Sequence, residues 1–262
     1  MEILDKFSRA IETYVHPNTR PIAIKMLRGG EKIPENMKRP KRDLGARLIP
    51  CQATFLSRKS GIPLAMLKED FNTDFCSTGS IVFGIVPAVD EWKRGDISYG
   101  IFAKTRKAAA TMERNVFRFE RGRYAGFLAA PLDKVDFEPD MIMVYCNSEQ
   151  AMSLILASRY DDGLPIRTTV SARNVCSDAI VQTIKTGKCR VCIPCGGDRV
   201  NAYAGADEIV FTAPMKKLGT IVEGLEAAAR ARAPPVMKVL GVRKSVLDRK
   251  YRELARTIKK RT

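Results

Sequence analysis

The sequence predicts an α+β protein: a mixed α/β core written twice, its copies related by a pseudo-twofold, followed by a basic C-terminal helix. Three observations carry this. Strand-like and helix-like runs are interleaved over the first 230 residues or so. Four short motifs recur in the same order. The positive charge is concentrated in two segments, one of them the C-terminal tail. The expected division is a core over residues 1–233, with copies at roughly 20–135 and 140–230, and a tail over 234–262.

The first element is a helix from Ile3 to Val15, with Ile3, Leu4, Phe7, Ile11 and Val15 on one face. Pro17 ends it, and His16 falls at its C-terminal cap. Pro21–Leu27 reads as a strand, and Gly29–Lys41 as a basic loop. The repeat then begins. Ser57-Arg58 before Gly61-Ile62-Pro63 parallels Ser158-Arg159 before Gly163-Leu164-Pro165, and Cys76 parallels Cys176. Gly95-Asp96 parallels Gly197-Asp198, and Ala130-Pro131 parallels Ala213-Pro214. Each match is weak alone; four in one order indicate duplication. The first copy carries an insertion between Asp96 and Tyr124 that includes Lys104-Thr105-Arg106-Lys107.

The second copy is clearer. Met141–Tyr145 is a strand, and Asn147 or Ser148 caps a helix to about Tyr160, with Gln150 placed as capping partner. Cys176 opens a helix through Lys185. Lys188–Gly197 reads as a turn-rich segment, Ile209–Thr212 as a strand, and Met215–Arg230 as a helix burying Met215, Leu218, Ile221, Val222 and Leu225.

Six segments carry a family resemblance: Phe137–Tyr145 with Glu149-Gln150-Ala151-Met152, Cys176-Ser177-Asp178-Ala179, Gly197-Asp198-Arg199, Asp207–Phe211, Pro21-Ile22-Ala23 and Cys51-Gln52-Ala53. Together they resemble the domain of unknown function 169 (DUF169) family. The resemblance covers roughly residues 1–230 and implies an archaeal, anaerobe-enriched family without an assigned activity. It supplies a fold and candidate positions, including cysteines near Cys51, Cys76 and Cys176, but no reaction. The Cys189 and Cys192 pair and the tail lie outside the family pattern.

Composition bounds the chemistry. The 45% hydrophobic content suffices for a core without disulfides. No apolar stretch approaches the ~18 residues of a membrane span, and the N-terminus lacks a signal-peptide pattern, so a cytoplasmic protein is expected. In such a reducing compartment the seven cysteines are free thiols or ligands. One histidine, His16, rules out multi-histidine metal sites within the chain. Phosphate-binding Walker loops, G-x-G-x-x-G and G-x-S-x-G are all absent.

Cys189-Arg190-Val191-Cys192-Ile193-Pro194-Cys195 is a C-x2-C-x2-C run, which as a loop would wrap thiolates around one metal or cluster. As a strand it would throw Cys189 and Cys192 to opposite faces; Pro194 and Gly196-Gly197 favour the loop. The ferredoxin pattern would put a fourth cysteine where Arg199 stands, so the fourth ligand comes from elsewhere: Cys176 first, or Cys76 or Cys51. A second arrangement brings the repeat-related Cys76 and Cys176 together, completed by Cys51 and Cys195. An iron–sulfur cluster, structural zinc and plain packed thiols all remain open.

The +16 net charge is not spread evenly. Arg20–Arg47 holds nine Lys/Arg against three acidic residues, and Lys238–Thr262 ten against two. After a capping box at Ser245, the tail places Leu247, Tyr251, Leu254 and Ile258 on one face of a basic helix. The expected function is a cysteine-ligated iron–sulfur or metal protein, serving redox or metallocofactor handling. The alternatives are a tail that binds nucleic acid or an acidic protein, and an enzyme or carrier whose Arg58, Arg159 and Arg199 grip a small anion between the repeats.

Overall fold

A computed structural model describes residues 2–231 and 246–259. Six strands form a single antiparallel sheet: β1 (Ile22–Leu27), β2 (Leu64–Leu67), β3 (Gly126–Pro131), β4 (Met141–Cys146), β5 (Arg190–Cys192) and β6 (Ile209–Pro214). Their order is β2-β3-β1-β4-β6-β5. It reads the same from either edge when β1 is set against β4, β3 against β6 and β2 against β5. The registers match too: Ile22 sits opposite Pro131, and Met141 opposite Pro214. Both prolines close their strands and lead into a 3-10 turn. Pro has no N–H to give a ladder, so a strand end suits it.

The helices are α1 (Glu2–Tyr14), α2 (Pro40–Asp43), α3 (Pro50–Ser60), α4 (Ser77–Val82), α5 (Asp90–Lys93), α6 (Arg106–Arg114), α7 (Ser148–Ser158), α8 (Gln182–Thr186), α9 (Gly196–Ala202), α10 (Leu218–Ala231) and α11 (Val246–Lys259). A π-helical stretch, Cys176–Val181, runs directly into α8. The architecture is mixed α+β, as expected.

The strands are buried on both faces, so period-2 alternation sorts their side chains into two apolar layers. Ile22, Ile24, Phe127, Met141, Met143 and Tyr145 pack with residues of α3, α4 and the π-helix. Ala23, Ile142, Val144, Phe211 and Ala213 pack with α1, α7 and α10. The α1 face is the predicted one: Leu4, Phe7 and Ile11 are buried. His16 follows in the left-handed region, φ 53°, consistent with a helix C-terminus. The Asn147–Gln150 capping box forms as predicted: Asn147 Oδ1 accepts from the Gln150 N–H, and Gln150 Oε1 from the Asn147 N–H. A Cβ on Gly224 would come 2.6 Å from the Ala157 carbonyl oxygen, so glycine permits the close approach of α10 to α7.

Two expectations need correction. Arg190–Cys192 is a strand, not a turn-rich loop: β5 pairs along β6, with Cys192 opposite Val210. The motifs at Ser57-Arg58 and Ser158-Arg159 both end helices, but α3 and α7 belong to opposite layers, so these arginines are not equivalent in space. In the tail, Tyr251 and Leu254 of α11 are exposed. The predicted cap at Ser245 and the side chains of Leu247 and Ile258 lie outside the described residues. No helix among the described residues is long and apolar enough to cross a membrane.

Candidate four-cysteine site

Four of the seven cysteines meet at one cavity, each delivered by the start of a helix. Pro50 occupies the first turn of α3, where its missing N–H costs nothing, and Gln52 Oε1 accepts the Ile49 N–H at 3.0 Å. This start fixes Cys51. Cys76 caps α4, its sulfur accepting the Gly79 N–H at 3.3 Å. Cys176 is the first residue of the π-helix. Cys195 precedes Gly196 as the N-cap of α9. All four line a cavity of about 300 Å³, together with Phe75, Ile97, Arg173, Asn174 and Asn201.

Burial pushes the thiols of Cys51, Cys76 and Cys176 up, and their mutual proximity and that of Cys195 push further. These three thiols are therefore neutral at pH 7, and binding a metal through them would release protons. The helix starts act the other way, since their unpaired N–H groups carry partial positive charge that favours thiolate. Polar atoms are stranded beside Cys176. Arg173 Nε, Asn174 Nδ2 and Ser177 Oγ are buried without a partner. Arg173 itself lies 3.8 Å from Glu113 and stacks on Phe102. Buried donors left unmatched cost about 1–3 kcal/mol each.

Behind the cavity lies a buried polar network. The Tyr145 hydroxyl donates to Asp198 Oδ2 at 2.9 Å, while Asp198 Oδ1 has no partner. The Arg58 guanidinium stacks on the Tyr145 ring at 3.8 Å and donates to Glu208 Oε1 at 3.0 Å and the Ala202 carbonyl at 3.1 Å. Burial raises Asp198 to about 6, against the opposing hydrogen bond from Tyr145 and charge of Arg58.

The C-x2-C-x2-C run does not act as one unit. Cys189 joins the layer of α1, α7 and α10, and Cys192 the opposite layer, because β5 is a strand. Only Cys195 of the three lines the four-cysteine cavity. Cys51, Cys76, Cys176 and Cys195 line one cavity, while Cys189 and Cys192 do not reach it. Nor do Arg58, Arg159 and Arg199 form one anion grip. Arg58 is committed to Glu208, Arg199 Nη1 donates to the Gly205 carbonyl, and Arg159 lines a cavity in the other layer. Arg173, Asn174, Tyr145 and Asp198 were not singled out from sequence. Asn174 gave a faint signal through its closeness to Cys176, and Asp198 through its place in the Gly197-Asp198-Arg199 run. Among the described residues no group of three or more His, Cys, Asp or Glu is arranged to hold a metal ion.

Residues 10–224 match the sequence profile of the DUF169 family, described as Uncharacterised ArCR. The chain belongs to the DUF169 family. The DUF169 match spans all four cavity cysteines, whereas α11 lies beyond it. A protein of Methanocaldococcus jannaschii, itself described as uncharacterized, is 25% identical over 209 residues, covering 78% of this chain and 86% of its own length. No solved structure matches.

Proposed function

We propose that this DUF169 protein binds an iron–sulfur cluster through Cys51, Cys76, Cys176 and Cys195 and serves redox or metallocofactor handling. The observation that carries the reading is the convergence of four thiols from four separated segments on one cavity. Sulfur ligands suit clusters and zinc alike. Four thiols lining one cavity match the ligand number and type that an iron–sulfur cluster takes. The stranded donors of Arg173 and Asn174 supply N–H groups of the kind that tune cluster potentials. Iron and acid-labile sulfide analysis of protein purified without oxygen tests the reading. Iron with matching sulfide supports it; zinc alone, or no metal after anaerobic reconstitution, refutes it.

A second reading concerns the tail. Tyr251 and Leu254 stand exposed on α11 among Arg249, Lys250, Arg252 and Arg256, a surface suited to nucleic-acid phosphates or an acidic protein. Removing residues 238–262 would abolish a salt-sensitive affinity for nucleic acid; equal binding by the shortened chain would exclude this role.

A further inference from the structure

A second cavity, of about 410 Å³, opens in the layer away from the four-cysteine cavity. It is bounded by the end of α7, the loop of Leu164, Pro165 and Ile166, the turn before β5 and the 3-10 turn after β6. Five of its lining residues are cationic: Arg159, Arg167, Lys188, Lys216 and Lys217. The one acidic lining residue, Asp162, is paired with Lys217 at 3.0 Å, and Lys217 also holds Asp161 at 2.8 Å. Among the described residues no ion pair engages Arg159, Arg167, Lys188 or Lys216. Other surface cations among the described residues, Lys104 and Lys107 included, also lack an ion pair; what sets these four apart is that they line one cavity.

The ends of α7 and α8 also face this region and draw cations, but each helix C-terminus amounts to about half a negative charge. Two of them offset about one of the four unpaired cations, and Lys217 with its two carboxylates offsets about one more, leaving an excess of about +2. Like charges gathered without counter-charge cost stability, and a bound anion relieves that cost. The backbone helps keep them together. Gly187, at φ 59°, ends α8, and a Cβ there would lie 3.1 Å from Lys216 Nζ. Arg159 Nε is buried without a partner. Leu164, Pro165 and Ile166 supply an apolar wall. The volume falls in the range of small-ligand sites. Cys189 lines the cavity too, but burial raises its thiol to about 11, so it is a packing group and not a nucleophile.

We propose that this cavity binds a small polyanion, a phosphorylated or polycarboxylate metabolite, with its charge on Arg159, Arg167, Lys188 and Lys216 and its apolar portion against Leu164–Ile166. The proposal stands independently of any cluster at the four cysteines. Calorimetric titration of the full chain with pyrophosphate and with citrate at about 50 mM salt tests it. Binding of pyrophosphate in preference identifies a phosphoryl ligand, and binding of citrate in preference a polycarboxylate; either supports the site. The double variant Lys188→Ala/Lys216→Ala should weaken binding at least about tenfold without lowering the melting temperature of the ligand-free chain. The control Lys104→Ala/Lys107→Ala, in the remote basic stretch, should bind as the parent does. Absence of binding by both anions, or an equal loss in the control, overturns the proposal.

Discussion

Cys189, immediately before β5, and Cys192, its last residue, lie on opposite sides of the sheet, one beneath the α1–α7–α10 layer and the other beneath the layer that holds the four-cysteine cavity. This relation separates the cysteines expected to matter for cluster binding from those that pack. Cys189→Ala should leave iron and sulfide content at the parent value, while Cys76→Ser or Cys176→Ser should lower it severalfold. Metal analysis of the three variants side by side checks this, and iron lost from Cys189→Ala would restore the contiguous run as the site.

Asp198 predicts a pH dependence. Burial raises its carboxyl from the ordinary 3.8 to about 6, so the folded chain holds this proton more tightly than the unfolded one. The resulting stability is complete below about pH 4 and is lost as pH rises through about 6, up to about 3 kcal/mol for the two-unit shift. Asp198→Asn keeps a neutral group in place. The variant should gain stability relative to the parent above pH 6 and flatten the profile between pH 4 and 7 in urea unfolding.

The pair Arg58–Glu208 is buried, with Arg58 also stacked on Tyr145. Glu208→Gln would leave the guanidinium buried without counter-charge and should cost about 3–5 kcal/mol. Replacing both partners, Arg58→Met with Glu208→Leu, should recover most of the loss. Chemical denaturation of the single and double variants measures the difference.

Gly224 tests the packing of α10 on α7. A Cβ there would meet the Ala157 backbone at 2.6–2.7 Å, so Gly224→Ala should lower stability by about 1–3 kcal/mol despite alanine's better helix propensity. A rise in melting temperature would show that the helices separate at little cost.

Much of the fold was legible because local signals and tertiary context agree. Pro17, the Asn147–Gln150 box and the inward faces of α1 and α10 are each fixed by neighbours in sequence. The matched ends of β3 and β6 were visible as two Ala-Pro pairs. Lys188–Gly197 misled because Pro194 and the glycines lie just beyond a three-residue edge strand, too short to show alternation, and pairing with β6 decides its conformation. The grouping of Cys51, Cys76, Cys176 and Cys195 was open in the sequence, because each arrives on a different helix start and only the tertiary fold joins them. The commitment of Arg58 to Glu208 has no local signal in the sequence, because the two residues are 150 positions apart.

The most direct test is the absorption spectrum of anaerobically reconstituted protein, recorded for the parent and for a chain with Cys51, Cys76, Cys176 and Cys195 all replaced by serine. The parent should show a broad iron–sulfur band near about 400 nm, and the fourfold variant, still folded by circular dichroism, should not. A parent without the band, or a folded variant that retains it, would contradict the four-cysteine site.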